Sequence, residues 1–218
     1  MPRRAAPLTT ERILSAALKI ADRNGLDGLS LRTLATALHI TPMALYRHFP
    51  DKEALLDALH EAVLREGPIP EPQQSWRDDL VVMARTTRDA IKRHPGTALL
   101  FATRSLRHPA LLVHVDRWCG RLLAAGFGSS DAVYIIDAIG IFAVGHALSE
   151  LGGPRSAKGS KSAKAADAAT LKRLGLFHLA RLSTDHHRHD FDASFELGLA
   201  ALLDGLEARL ARQENKMT

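Results

Sequence analysis

The sequence has little of several features that mark particular classes of protein. Its single cysteine, Cys119, excludes an internal disulfide and any zinc site that needs two thiolates. Aromatic residues make up only 5% of the 218 residues, which argues against a surface that binds nucleic-acid bases by stacking. We therefore expect a protein of a reducing compartment, the cytoplasm.

The chain also lacks an uninterrupted hydrophobic run. The most apolar stretch, residues 133–151, contains Asp137, His146 and Glu150, so we expect a buried helix and no membrane span. At the N-terminus, charged residues interrupt what would be the apolar part of a signal peptide. The apolar content of 46% and charged content of 24% are those of a soluble globular protein.

Positive charge is concentrated near the N-terminus. The net charge is +5, and residues 1–52 contain eight lysines and arginines against four acidic residues. A polyanion that contacts this region is one interpretation, because neutralising phosphates supplies most non-specific DNA affinity. A solvated basic face is the alternative.

Apolar residues recur at helical spacing along most of the sequence, and no segment alternates convincingly as a strand. We predict an all-α fold, with Ser30 and Thr41 as helix N-caps. The predicted helices cover residues 10–24, 31–38, 41–49, 52–66, 75–93, 96–103, 109–125, 130–151, 167–182 and 192–212. The proline-rich segment 67–72 predicts a boundary between residues 1–66 and residues 67–218, and the small, basic segment 152–166 predicts a mobile loop.

Residues 29–49 have the spacing of a helix-turn-helix, which inserts its second helix into the major groove of DNA. From their positions, Thr41, Met43, Ala44 and Arg47 are placed to read base edges, and Arg32, Tyr46, His48 and Lys52 to contact the DNA backbone. In the alternative interpretation Tyr46 covers Leu18 and His48 is an ordinary surface histidine.

Residues 10–60, above all LSLRTLATALHITPMALYRHFPDKEALLDAL, resemble the DNA-binding domain of the TetR family. The resemblance implies a three-helix domain whose third helix enters the major groove and a phosphate contact from Lys52. It implies a transcriptional regulator without enzymatic activity: a repressor that binds a palindromic operator as a homodimer and is released by an unidentified small molecule. An activator is left open.

The C-terminal part resembles the tetracycline-repressor-like subgroup, in HPGTALLFATR, LLAAGFGSSDAVYIIDAIGIFAVGHAL and FELGLAALLDGL. In that subgroup the last two helices of each subunit form a four-helix bundle with the partner, which implies a C-terminal helical bundle for effector binding and dimerisation. The 4-3-4 spacing of apolar residues near the C-terminus also favours a helix-packing seam. The predicted dimer residues are Ile136, Gly140, Ala143, Phe195, Leu199, Leu202 and Leu206; an intramolecular core is the alternative.

The chain departs from this subgroup where its tetracycline repressors hold drug-bound magnesium. Leu100 stands at the position of the metal-binding histidine, and Ser149 at that of an acidic residue. Neither tetracycline nor magnesium is therefore carried over, and we expect no cofactor. A pocket for a different effector is predicted from Met83, Thr87, Leu100, Thr103, Arg104, Val115, Trp118, Phe142 and His146; plain core is the alternative for each.

One cluster has the residue types of a metal site, namely His186, His187 and His189 with the nearby Asp190 and Asp192. Its spacing is poor, because adjacent residues on a helix do not face the same way. We expect no metal, and a loop in which Asp190 or Asp192 caps the last helix. A metal-dependent enzyme built on this cluster and a helical adaptor that binds protein are the competing function classes.

Overall fold

The computed structural model describes residues 7–67, 73–104, 109–152, 168–185 and 190–217. These residues form helices and connections, with no strand among them, in agreement with the predicted all-α fold. The α-helices are α1 Thr10–Asn24, α2 Leu31–Leu38, α3 Pro42–Tyr46, α4 Lys52–Glu66, α5 Trp76–Arg93, α6 Ala98–Thr103, α7 Pro109–Ala124, α8 Ser129–Gly152, α9 Ala168–Arg173, α10 Phe177–Asp185 and α11 Phe191–Met217. A 3-10 turn, Pro95–Thr97, lies between α5 and α6.

The chain divides into two compact units, Met1–Val144 and Gly145–Thr218, with the division inside α8. In the first unit, α1 to α4 surround a core of buried leucines that also includes Ala90 from α5 and Leu100 from α6. The predicted boundary after residue 66 stays a prediction. α4 ends at that residue, although the N-terminal core continues into α5 and α6.

Two helix ends are fixed by side chains that the sequence pointed to. Ser30 and Thr33 form a reciprocal capping box at the start of α2, with Thr33 N donating to Ser30 Oγ at 3.0 Å. Asp190 Oδ1 accepts a hydrogen bond from Ala193 N at 2.9 Å and so caps α11. Both caps were predicted.

Two details of the helix prediction were wrong. The helix that begins after Thr41 ends at Tyr46 instead of about Phe49: residues 47 and 48 form a turn, and Pro50 disfavours helical backbone at Phe49 itself. Thr41 occupies the N-cap position, but its hydroxyl makes no capping hydrogen bond to α3.

The single helix predicted over residues 167–182 is also wrong, because the structure has two helices there, α9 and α10. Gly175 separates them with a left-handed φ of 73°, which favours glycine. Its N–H donates to Lys172 O, and Leu176 N donates to Leu171 O at 2.9 Å, so α9 ends in a Schellman motif.

α8 is long and apolar enough, by length and composition, to cross a membrane. We expected Asp137, His146 and Glu150 to make this segment too polar for a membrane span; by length and composition alone, that expectation was wrong. A third of its most apolar 18-residue window is buried inside the chain, and core helices of soluble proteins have the same composition. Its exposed apolar side chains are Val133, Tyr134, Ile141, Leu148 and Leu151.

Candidate functional site

The helix-turn-helix consists of α2, a three-residue turn and α3. His39 ends α2 in the left-handed conformation, with φ of 55°, and Ile40 N then donates to Ala35 O at 3.0 Å. Leu45 is fully buried in the core and anchors α3. A short helix is thereby held at a fixed angle with its outer face open to solvent.

The side chains predicted to contact DNA lie on this outer face and beside it. Met43 and Tyr46 are 68% and 49% exposed. Thr41 is exposed, whereas Ala44 is half-buried. Arg47 and His48 are exposed in the turn that follows α3, and Arg32 is exposed in the first turn of α2.

Two of these residues also make contacts inside the domain. Lys52 Nζ donates to the carbonyl oxygen of Leu26 at 3.2 Å, which ties the start of α4 to the segment between α1 and α2. His48 Nδ1 lies 3.4 Å from Thr10 Oγ1 at the start of α1. Lys52 therefore has a structural contact that sequence reasoning missed, since a side chain bonded to a distant carbonyl leaves no periodic signal.

α4 is also linked to the end of α6. Arg104 pairs with two carboxylates on α4, at 2.5 Å to Glu53 and 2.8 Å to Asp57. The hydrogen bond to Asp57, followed by that to Glu53, raises the pKa of Arg104 above its ordinary value. On the same side of α4 the His60 ring packs edge-on against Phe101, and burial lowers the pKa of His60 to about 4, so it is neutral near pH 7.

The residues predicted for the effector pocket have different environments. Met83 and Leu100 are buried, and Leu100 belongs to the core around α1 to α4. Thr103 is exposed and its hydroxyl donates to Leu99 O at 2.8 Å, while the Arg104 guanidinium is engaged by α4. The half-buried members are Thr87, Val115, Trp118 and Phe142. His146 lies in the second compact unit, where its ring contacts Phe191 and Phe195.

Trp118 has a neighbour that sequence reasoning missed. His114, one helical turn earlier on α7, has its ring centroid 6.3 Å from that of Trp118. Both His114 Nδ1 and Trp118 Nε1 are buried without a hydrogen-bond partner among the described residues. Burial and then Arg117 lower the pKa of His114, which keeps the imidazole neutral. Their spacing of four residues on a helix was the available signal.

The residues predicted for a dimer interface divide into two groups. Ala143, Phe195 and Leu199 are at most 1% exposed within the single chain, so assigning their side chains to a partner surface was wrong. Ile136, Gly140 and Leu206 are half-buried, and Leu202 is exposed. A Cβ added at Gly140 would meet no atom within 4 Å, which leaves room for close approach of another helix.

The histidine cluster His186, His187 and His189 lies outside the described residues, as does nearly all of the predicted loop 152–166. Within the described part of the chain, no group of three His, Cys, Asp or Glu side chains is arranged to hold a metal ion.

Comparison with known families accounts for most of the chain. Residues 13–59 match the family described as "Bacterial regulatory proteins, tetR family". Residues 69–210 match the family "Tetracyclin repressor-like, C-terminal domain". The first match contains α2 and α3, and the second contains α5 to α10.

Individual relatives are similar over almost their full length. The chain is 35% identical to the class A tetracycline repressor of transposon 1721 from Escherichia coli, covering 93% of this chain and 92% of the relative. It is 32% identical to the transcriptional repressor DrrR1 of Streptomyces coeruleorubidus, covering 96% and 81%. The crystal structure of the Streptomyces coelicolor TetR family protein ActR with actinorhodin superposes with a TM-score of 0.74, at 32% identity over 94% and 99% of the two chains.

Proposed function

Because the chain belongs to the TetR family of bacterial transcriptional regulators, we propose that it is a cytoplasmic repressor without catalytic activity, which binds a palindromic operator as a homodimer. A small-molecule effector that binds the C-terminal part releases it. The observation that carries the proposal is the helix-turn-helix, in which α3 has an exposed outer face and is anchored in the core by the buried Leu45.

The exposed face of α3 supports direct reading of bases. Met43 presents an apolar side chain suited to a thymine methyl group, and Thr41 presents a hydroxyl. Arg47 has the donors to bind guanine or phosphate. Arg32, Tyr46, His48 and the remaining N–H groups of Lys52 flank this face and are assigned to the DNA backbone.

The homodimer is supported by apolar side chains that the single chain leaves exposed on α8 and α11. On α8 these include Ile141, at 72%, and Tyr134, at 67%; on α11, Leu197 is 75% exposed. We assign Ile136, Gly140, Leu202 and Leu206 to the contact with the partner subunit. Burying such surface is the main driving force for association of helical subunits.

The experiment that tests the proposal is a mobility-shift assay on the DNA that flanks the protein's own gene, at several salt concentrations. We expect selective binding to a palindromic fragment and a steep fall in affinity with salt, because phosphate contacts release counterions. Equal, weak binding to every fragment would contradict the proposal.

Two substitutions should separate base reading from phosphate binding. Arg47→Ala is expected to reduce discrimination between operator and mutated operator by about 1–3 kcal/mol, as loss of a base contact does. Lys52→Ala should weaken binding to all sequences alike and flatten the salt slope by about 1. Lys172→Ala, on exposed α9, is the control for loss of one positive charge. Equal effects of Arg47→Ala and Lys52→Ala on every sequence would reject this division of roles.

The effector site is assigned to the surroundings of Trp118. Its Nε1 offers a buried donor and the neutral His114 ring a donor or acceptor, which suits an aromatic ligand with hydrogen-bonding oxygens. The actinorhodin complex of ActR supports a small molecule bound by a protein of this fold. Leu100 supplies no metal ligand, so we do not assign magnesium to this site.

Trp118→Phe is expected to raise the effector concentration needed for operator release by about 5- to 10-fold, because the N–H donor is lost together with part of the ring's contact area. The measurement is release of fluorescent operator by a compound panel that includes actinorhodin and Mg²⁺-tetracycline. His178→Gln, on α10, is the control. Unchanged release by every active compound would exclude Trp118 from the site.

A further inference from the structure

His94 follows α5 and lies between two carboxylates from other helices. Its Nδ1 is 2.8 Å from Asp22 Oδ2 on α1, and its Nε2 is 2.6 Å from Glu66 Oε2 at the end of α4. An ionised carboxylate only accepts hydrogen bonds, so both ring nitrogens must carry a proton to make both contacts. The geometry therefore requires the imidazolium form of His94.

We propose that the His94 imidazolium is a positioning residue that locks α1 and α4 onto the end of α5, and that its deprotonation weakens operator binding. The proposal rests on the proposed repressor function. Asp22 lies within the segment that matches the DNA-binding family, and His94 lies within the segment that matches the C-terminal family. The lock thus joins the part that binds DNA to the part assigned to the effector.

Neighbouring residues also contact the two carboxylates of the lock. Gly96 N donates to the other oxygen of Asp22, Oδ1, at 3.3 Å, and Arg93 Nη1 pairs with Glu66 Oε2 at 3.4 Å. His94 lines an open groove of about 480 Å³ between α1 and α4. Besides Asp22 and Glu66, the charged groups that face this groove are Glu11 and Lys19 on α1 and Arg65 on α4.

The direction of the pH dependence follows from these contacts. Burial lowers the pKa of His94, but hydrogen bonds and charge from Asp22 and Glu66 outweigh burial and raise the pKa above 6.5. A raised pKa in the folded state means that the lock is fully formed below pH 6.5 and is lost as the pH rises through the folded value. Operator binding should then weaken, because a dimer with loosely held DNA-binding helices must order them on DNA.

The test compares operator Kd values of wild type and His94→Gln at about pH 6 and about pH 9. Both N–H donors of glutamine are on one nitrogen, so it does not reproduce the two separate donors of the imidazolium ring, and it does not titrate in this range. At the lower pH we expect wild type to bind the operator about 3- to 10-fold more tightly than His94→Gln does. At the higher pH we expect the two proteins to bind it equally. Effects of pH on the DNA and on the groups that the two proteins share are common to both and cancel in the ratio. His178→Gln should follow wild type at both pH values.

Asp22→Asn gives a second variant that keeps the size of the side chain. In this variant the pKa of His94, measured by NMR of the ring protons, should be lower than in wild type. The ratio of its operator Kd to that of His94→Gln should also depend less on pH than the ratio for wild type does. The result that would overturn the lock is that neither the Kd ratio nor the Tm difference between wild type and His94→Gln changes with pH. Absence of selective DNA binding by wild type at every pH would instead reject the repressor function, and the Tm difference would still report on the lock.

Discussion

Replacing Gly96 with alanine is expected to lower the free energy of unfolding by about 1–3 kcal/mol, because the 3-10 turn Pro95–Thr97 lies directly against the backbone of α1. A Cβ at this position would overlap the carbonyl oxygen of Ala21 and lie 2.6 Å from Asp22 N. These are main-chain atoms, so no change of rotamer can relieve the overlap. The turn would have to move away from α1 and stretch the hydrogen bond from Gly96 N to Asp22.

Gly120→Ala is the matched control, since the same methyl group is added inside α7. A Cβ there would meet no atom within 4 Å, and alanine favours a helix over glycine by up to about 1 kcal/mol. Urea unfolding at one protein concentration should therefore show opposite signs for the two variants. A Gly96→Ala protein as stable as Gly120→Ala would mean that the turn does not pack on α1 as described.

The N-terminal helices could be predicted well because local signals coincide there. Ser30 caps α2, and the apolar positions of α1 and α2 repeat at helical spacing and are those that are buried. The contact of Gly96 with α1 could not be predicted, because the residues that meet are more than 70 positions apart in the sequence. Sequence reasoning also missed the two carboxylate partners of His94, which are 72 and 28 positions away and lie on other helices.

The C-terminal prediction failed for a different physical reason. The 4-3-4 spacing from Phe195 to Leu206 indicated one continuous seam, but Phe195, Leu199 and Leu203, at a spacing of four, are the residues buried within the chain. Leu202, 39% exposed, lies beside that stripe. A helix that must pack on its own chain and on a partner needs two adjacent stripes, and periodicity alone does not assign each residue to one of them.

Asp79→Ala is expected to cost about 2–4 kcal/mol of unfolding free energy, because it breaks a buried ion pair. Asp79, on α5, is 2% exposed; its Oδ1 accepts from Gln73 N at 3.0 Å, and its Oδ2 lies 3.2 Å from Arg121 Nε on α7. Arg121 also donates to the carbonyl oxygens of Gln73 and Gln74. The carboxylate thus holds α7 and the segment before α5 together, and its loss leaves the partly buried Arg121 without its counter-charge.

A double-mutant cycle in urea measures this interaction. Arg121→Ala should destabilise at least as much as Asp79→Ala, since it leaves a carboxylate buried without its counter-charge, and the double variant should cost less than the two single losses together. Asp89→Ala, an exposed position on the same helix, should change stability by less than about 0.5 kcal/mol. Additive losses from Asp79 and Arg121 would show that the pair is not coupled. Coupling would establish that the Asp79–Arg121 ion pair stabilises the packing of α7 against α5.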